Sequence, residues 1–335
     1  MKLLHKTGNI ALFFYSIIRN SFRRKKLHTK LLNNTAIAYY PEYNKTVRDY
    51  YLYCVDQICC TKSLPVRCNI IFGPYEWTFS NNYKTINICL QSEHTLVKRG
   101  GRHSAGAEYG VIPLCDNKDK TYLVRIADYT QLIKADIVID YSRPNIININ
   151  SSGLYKDLSD KLFHFWPLLY KYKPFELESQ YRDLNLITMF GNPDEPYRKN
   201  FISILKAYGI HPVNINNSFN NVESIYRRSK ILINIRQTYT HHTLEELRIL
   251  PALLCGTIVI CESAPLKETL LYNEYVLWAA LEDLPFLIID VVNNYEYYYN
   301  RIFGSKKLSE TVEILRMQNN ITASDIIHAI NDLLH

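Results

Sequence analysis

The sequence predicts an α/β protein made of two doubly wound domains, each a parallel sheet covered by helices, facing one another across a cleft. Three observations carry this. Short apolar, β-rich runs alternate with helical patterns along most of the 335 residues, the order expected of βαβ units. The alternation breaks at HFWPLLYKYKPFELESQYRD, residues 164–183, where prolines and mixed charge interrupt the period, and then restarts. The length suits roughly two domains of ~100–200 residues, and a chain that is 47% hydrophobic and 21% charged can bury two cores.

The elements follow in order. Residues 1–30 read as a basic amphipathic helix, NIALFFYSII followed by RNSFRRKK. Its apolar run is about half the ~20 residues that a membrane-spanning helix needs. Its basic cluster follows the apolar run and no small-residue cleavage site appears, the reverse of a signal peptide. Either this helix packs on the first domain, or residues 9–28 lie peripherally on a membrane. In the second case Phe13, Phe14 and Ile17 enter the lipid interface, and Arg19, Arg23, Arg24, Lys25 and Lys26 meet anionic head groups.

Residues 31–165 hold the first domain, with strand candidates TAIAYY, RCNIIFG, TINICL, TYLVRI and ADIVIDYS and a helix over VRDYYLYCVDQICC. Residues 166–182 form a linker. Over 183–293 the strands are LNLITMFG, HPVNIN, ILINIRQ, TIVICES and YVLWAA. The helices EPYRKNFISILKAYG and TLEELRILPALLCG are each closed by a glycine, Gly209 and Gly256. Residues 294–335 are C-terminal helices expected near the domain junction.

Composition narrows the partners. The net charge of +7 and pI near 8.8 suit an anionic small molecule or a membrane surface as well as nucleic acid. No RRM, zinc-finger or helix-turn-helix signature supports a nucleic-acid partner. The eight cysteines never form the CxxC pairs of a zinc ribbon and mostly lie in apolar runs, which predicts free thiols in a reducing, cytoplasmic setting. Abundant Asn, Ile, Lys and Tyr resemble the output of an AT-biased viral or microbial genome; in the viral case the setting is the host cytoplasm. Neither half opens with GxGxxG, which argues against a dinucleotide fingerprint.

Ligands of such sheets sit at the carboxyl ends of the strands, so the loops there hold the candidate chemistry. In SKILINIRQTYTHHTLEELRILPALLCGTIVICES, residues 229–263, a buried strand opens into a loop with Arg236, His241 and His242. A helix begins near Thr243, and the next strand ends at Glu262. Earlier, FGNPDEPYRKNFISIL places Gly191, Asn192 and Arg198 after the first strand of that half. These stretches resemble the nucleotide-sugar half of GT-B glycosyltransferases, particularly the group-1-like proteins. QSEHTLVKRGGR and IDYSRPNIININ look like the acceptor-side half. The resemblance covers about residues 35–293. It implies two Rossmann-like domains, a nucleotide-sugar donor on the second, and a glycan, lipid or protein acceptor on the first.

The donor reading also has a physical basis. A helix start offers unpaired N–H groups to phosphates, and Arg198, Arg236, His241 and His242 would neutralise a leaving diphosphate without a metal or any further cofactor. Glu246 or Glu262 would accept from ribose or sugar hydroxyls, although Glu246 could instead close its own helix in a capping box with Thr243. Arg248 stands with them, or pairs with Glu245 at i,i+3. Retaining members of the resembled family carry two glutamates eight positions apart, where this chain has Thr243 and Pro251. Stereochemical outcome is therefore not carried over, and a catalytically inactive binding or scaffold protein of the same fold is the alternative.

A base is needed to take the acceptor hydroxyl's proton, and histidine has the pKa for it. His94, just past the buried run TINICL, is the candidate, with Glu93 to orient or tune it and His103 in reserve. The adjoining Lys98, Gly100, Gly101 and Arg102 would bring flexible backbone and positive charge to the donor's phosphates or to an acidic acceptor.

Overall fold

A computed structural model describes residues 28–32, 35–40, 47–60, 67–73, 79, 81–100, 122–216, 221–242 and 244–335. The N-terminal helix expected over 1–30 lies almost wholly outside them; residues 28–30 belong to a strand instead. Among the described residues no helix is long and apolar enough to cross a membrane.

The first domain contains β1 (His28–Leu32), β2 (Thr35–Tyr39), α1 (Arg48–Cys59), β3 (Asn69–Phe72), β4 (Thr85–Gln91), β5 (Leu96–Lys98) and β6 (Tyr122–Val124). It continues with α2 (Tyr129–Leu132), β7 (Ile137–Asp140), α3 (Arg143–Ser152), α4 (Lys156–Ser159) and β8 (Leu162–His164). Six strands form one sheet in the order β1-β2-β3-β4-β7-β8, parallel throughout except for the antiparallel β1–β2 pair. Side chains alternate between faces along a strand, and the register exploits this. Ile37, Ile70 and Ile86 align across β2, β3 and β4, and Ile88 aligns with Ile137. All five pack on Tyr50, Tyr51, Cys54, Val55 and Ile58 of α1. On the other face Cys89 and Val138 pack against Ile149 of α3 and Leu158 of α4. TYLVRI is a strand as expected, but it pairs antiparallel with β5 in a separate two-stranded ribbon and not in the main sheet.

The second domain runs through β9 (Leu184–Thr188), α6 (Pro196–Ala207), β10 (Val213–Asn214), α7 (Val222–Arg228), β11 (Ser229–Asn234) and α8 (Glu246–Leu254), with α5 (Pro174–Leu177) preceding it. β12 (Ile258–Glu262), two 3-10 turns, β13 (Leu277–Ala279) and α9 (Leu284–Asn293) complete it. Its five parallel strands are ordered β10-β9-β11-β12-β13. The first strand thus has its successor on one side and all later strands on the other, which creates a topological switch point between β9 and β11.

The linker packs rather than dangles: Trp166, Tyr172 and Leu177 belong to the second core. After α10 (Tyr295–Phe303), the long helix α11 (Lys307–Leu334) serves both domains. Leu308, Val312 and Leu315 enter the second core, while Ala323, Ile326, Ile327 and Ile330 enter the first. Between them the buried Asn319 accepts from the Trp166 amide at 2.8 Å and donates to the Trp166 carbonyl at 2.9 Å and to the Tyr53 hydroxyl at 2.7 Å.

Candidate functional site

The switch point puts the ends of β9 and β11 side by side, and Gly191, Asn192 and Arg236 lie in the loops that leave them. Gly191 and Asn192 are exposed, and a Cβ on Gly191 would meet nothing within 4 Å, so no close packing demands a glycine there. Arg236 is fixed from several sides. Its Nε donates to Glu262 Oε1 at 2.7 Å, its backbone N–H to Glu262 Oε2 at 3.1 Å, and its Nη2 to both Glu262 and, at 3.2 Å, the Tyr197 hydroxyl. The Tyr197 hydroxyl in turn donates to Glu262. Glu262, at the end of β12, is therefore the counter-ion of Arg236 and not a free acceptor for sugar hydroxyls.

His242 departs from its expected role as a cation. Burial first, and then the charge of Arg236, push its pKa down to about 4, so the ring is neutral near pH 7. Its Nδ1 accepts from Arg236 Nη1 at 2.6 Å while Nε2 donates to the Tyr239 carbonyl at 3.3 Å. Arg198, in the first turn of α6, is 2% exposed. Its Nε donates to the Arg236 carbonyl at 3.3 Å and its guanidinium lies over Phe190 at 4.5 Å. Burial, helped by Arg248, lowers its pKa to about 10, which leaves it charged near neutrality. Among the described residues no carboxylate lies within ion-pair distance of it.

The loop after β11 reaches the first domain. Lys98 N–H donates to the Thr240 carbonyl at 2.8 Å, His242 N–H to the Leu96 carbonyl at 3.2 Å, and Val97 bridges His241. This backbone pairing brings His94 beside the second domain: its ring centroid is 5.7 Å from that of His241, and its Nε2 is 2.9 Å from Glu245 Oε1. Glu245 also faces Arg248 at 3.8 Å, the i,i+3 contact open at the sequence level. Burial opposes both charges, yet Glu245 holds the His94 pKa above its ordinary 6.5, and Arg248 with His94 holds the Glu245 carboxyl well below the usual carboxylate range. The charge of Glu93 adds to that of Glu245 in raising the His94 pKa. The Glu93 side chain is exposed, and its backbone forms a turn with Gln91, N–H to Oε1 at 3.0 Å and carbonyl from Nε2 at 2.6 Å.

Glu246 departs from both sequence expectations. α8 starts at Glu246 rather than near Thr243, with no side-chain cap bond. The fully buried carboxyl accepts from the Arg143 amide at 3.1 Å and the Tyr272 hydroxyl at 2.9 Å, tying its helix to the start of α3 in the first domain. Lys98, exposed, ends β5, and Gly100 lies in the exposed turn that follows, where it adopts φ 79°; Gly101, Arg102, His103 and Thr243 lie outside the described residues. Sequence reasoning missed Tyr197, whose signal was its place beside Arg198. It missed Glu245 as a partner of His94. It also missed Asp140, the acid that ends the IVID strand; burial pushes its pKa up to about 7, and it accepts from Ser142 N–H at 2.8 Å and from Gln91 and Asn145 side chains at 3.1 Å.

No family model matches the chain. An uncharacterized protein of Acanthamoeba polyphaga mimivirus is 28% identical over 190 residues, 55% of this chain and 61% of that protein. The chain thus spans about three fifths of the length of the curated relative it matches. Among solved structures, one described as trehalose-6-phosphate from E. coli bound with UDP-2-fluoro glucose aligns at TM-score 0.43 and 9% identity, covering 93% of this chain and 90% of that one. An alpha-glucosyltransferase in complex with UDP-glucose and DNA containing an abasic site aligns at TM-score 0.35 and 11% identity, covering 85% of this chain and 80% of that one.

Proposed function

We propose that this chain transfers a sugar from a nucleotide-activated donor to an acceptor hydroxyl, as GT-B glycosyltransferases do. The observation that carries this is the gathering of Arg198, Arg236 and Arg248 around the switch point of the second sheet, opposite His94 of the first domain. A diphosphate bound there would meet preorganised cations whose charge costs no reorganisation as the leaving group develops its own. Arg198, without a carboxylate partner, supplies net positive charge; Arg236, held by Glu262 and Tyr197, supplies geometry. His94 takes the acceptor hydroxyl's proton, the freed oxygen bonds to the anomeric carbon, and the sugar–diphosphate bond breaks with its electron pair going to the phosphate. Gly191, Asn192 and His241 border the donor side, and Lys98 and Gly100 the side from which an acceptor enters. No step calls for a metal.

The second reading, a binding protein of the same fold without catalysis, is favoured by Thr243 and Pro251 standing where retaining members of the resembled family have glutamates. Thermal-shift titration with UDP-, GDP- and dTDP-sugars, followed by chromatography of released nucleotide, separates the two. Transfer predicts a rise in Tm with at least one donor, turnover that survives EDTA, and a loss on the order of 10²-fold in His94→Ala with donor binding retained. Binding without turnover supports the second reading, and the absence of any donor shift refutes both.

A further inference from the structure

We infer that Glu245 is a positioning residue for His94, supplied by the opposite domain, so that the proton acceptor is complete only while the two domains are joined. This rests on the transfer reading for the origin of the proton. His94 stands on the loop that follows β4, and Glu245 immediately precedes the start of α8. Their side chains meet at 2.9 Å, each only 17% exposed. The bond uses Nε2, which as a donor to a carboxylate must carry the ring proton, leaving Nδ1 with the lone pair. Nδ1 is itself buried and has no hydrogen-bond partner among the described residues. An orphaned ring nitrogen of this kind is costly, and a substrate hydroxyl that displaces the atoms covering it would satisfy it. The arrangement has the logic of a hydrolase triad: a carboxylate fixes the tautomer and stabilises the imidazolium, while the other nitrogen takes the proton.

The pairing has its own support. Lys98 to Thr240 and His242 to Leu96 zip the ribbon of the first domain to the loop of the second, and Glu246, next in sequence to Glu245, is bonded to the Arg143 amide of the first domain. Opening the domains would break these bonds and part His94 from its carboxylate together. The charged and titratable groups facing His94 are Glu245, Glu93, Arg248, His241 and Asp140. Of these only Glu245 contacts Nε2.

The test is a histidine 13Cε1 NMR titration of the intact chain, wild type against Glu245→Gln and Glu245→Asp, with the His94 signal assigned by His94→Gln. Wild-type His94 should titrate above 6.5, fall below it in Glu245→Gln, and recover in part in Glu245→Asp. With UDP-glucose, GDP-mannose and dTDP-glucose as probes, kcat should fall about tenfold or more in Glu245→Gln with KM little changed, and the acid limb of the pH–rate profile should move to lower pH. An unchanged His94 titration in both variants overturns the positioning role. A shifted titration in a wild type that turns over none of the probes refutes the transfer reading and leaves the pair standing.

Discussion

The Arg236–Glu262 pair invites a double-mutant cycle with Glu262→Gln, Arg236→Met and the two combined. The Glu262 carboxylate is 2% exposed, against 19% for the Arg236 side chain, and it accepts from Nε, Nη2 and the backbone N–H of Arg236 and from the Tyr197 hydroxyl. Hydrogen bonds to a charged partner contribute about 1.5–3 kcal/mol each. Glutamine keeps one acceptor oxygen but turns an NH2 toward the guanidinium, so roughly two such bonds are lost. Arg236 recovers some solvation through its exposed edge, which brings the expected cost to about 3 kcal/mol. Arg236→Met should cost more, about 4 kcal/mol, because the charge left behind is the more deeply buried one. In the double variant neither charge remains, and the coupling should be about 2–3 kcal/mol. Urea unfolding followed by tryptophan fluorescence suits the measurement, since Trp278 lies on the strand next to Glu262, in register with Cys261. Single effects that add within about 0.5 kcal/mol, or a Glu262→Gln loss below about 1 kcal/mol, would refute this account of how Arg236 is held.

Two further outcomes follow from burial and backbone geometry. Gly256→Ala should cost well over the ~1–2 kcal/mol of a left-handed alanine: φ is 73°, and the new Cβ would come within 2.5 Å of Arg182 Nη2 and 2.7 Å of Leu177 Cδ2. Gly209→Ala, at φ 75° with nothing within 4 Å, should cost the backbone strain alone, and equal urea midpoints for the two variants would sink the comparison. Burial raises Glu246 from an ordinary 4.5 to about 8 against the bonds from Tyr272 and Ser142. The native state therefore holds a proton that the unfolded chain releases across that window, and stability falls as pH rises through it. His164 and His242, whose pKa values are depressed to about 3 and about 4, act in the opposite sense below pH 6.5 in wild type and variant alike. Asp140, raised to about 7, acts in the same sense as Glu246, so the four groups offset one another up to about pH 6.5 and the decline appears above it; Glu246→Gln should flatten the fall of the urea midpoint between about pH 6.5 and 8, and an unchanged slope there would contradict it.

The second domain was largely legible because its strands are buried on both faces and read as unbroken apolar runs such as ILINI and IVIC, with glycines ending the helices between them. The first domain was less so. β6 has the same apolar signature as a sheet strand, and nothing local tells which partner it takes; β8 is three half-buried residues without a run. At the site, residue types were readable and their states were not. His242 reads as a cation until burial beside Arg236 removes its proton. Glu262 reads as an acceptor for ligand until Arg236 occupies both oxygens. The pairing of His94 with Glu245 joins residues far apart in sequence through a contact between domains, which no local spacing encodes, and the i,i+3 relation to Arg248 offered a simpler partner for the same carboxylate.

The helix α11, shared by the two cores, has a consequence for biosynthesis. The core of the first domain that Ala323, Ile326, Ile327 and Ile330 enter leaves the ribosome about 160–290 residues before they do, a lag of roughly 10–60 s at ordinary elongation rates. Through that interval the side of the first core that this helix closes stays exposed, and a chaperone that masks it until translation reaches the last turns should raise the yield of native protein.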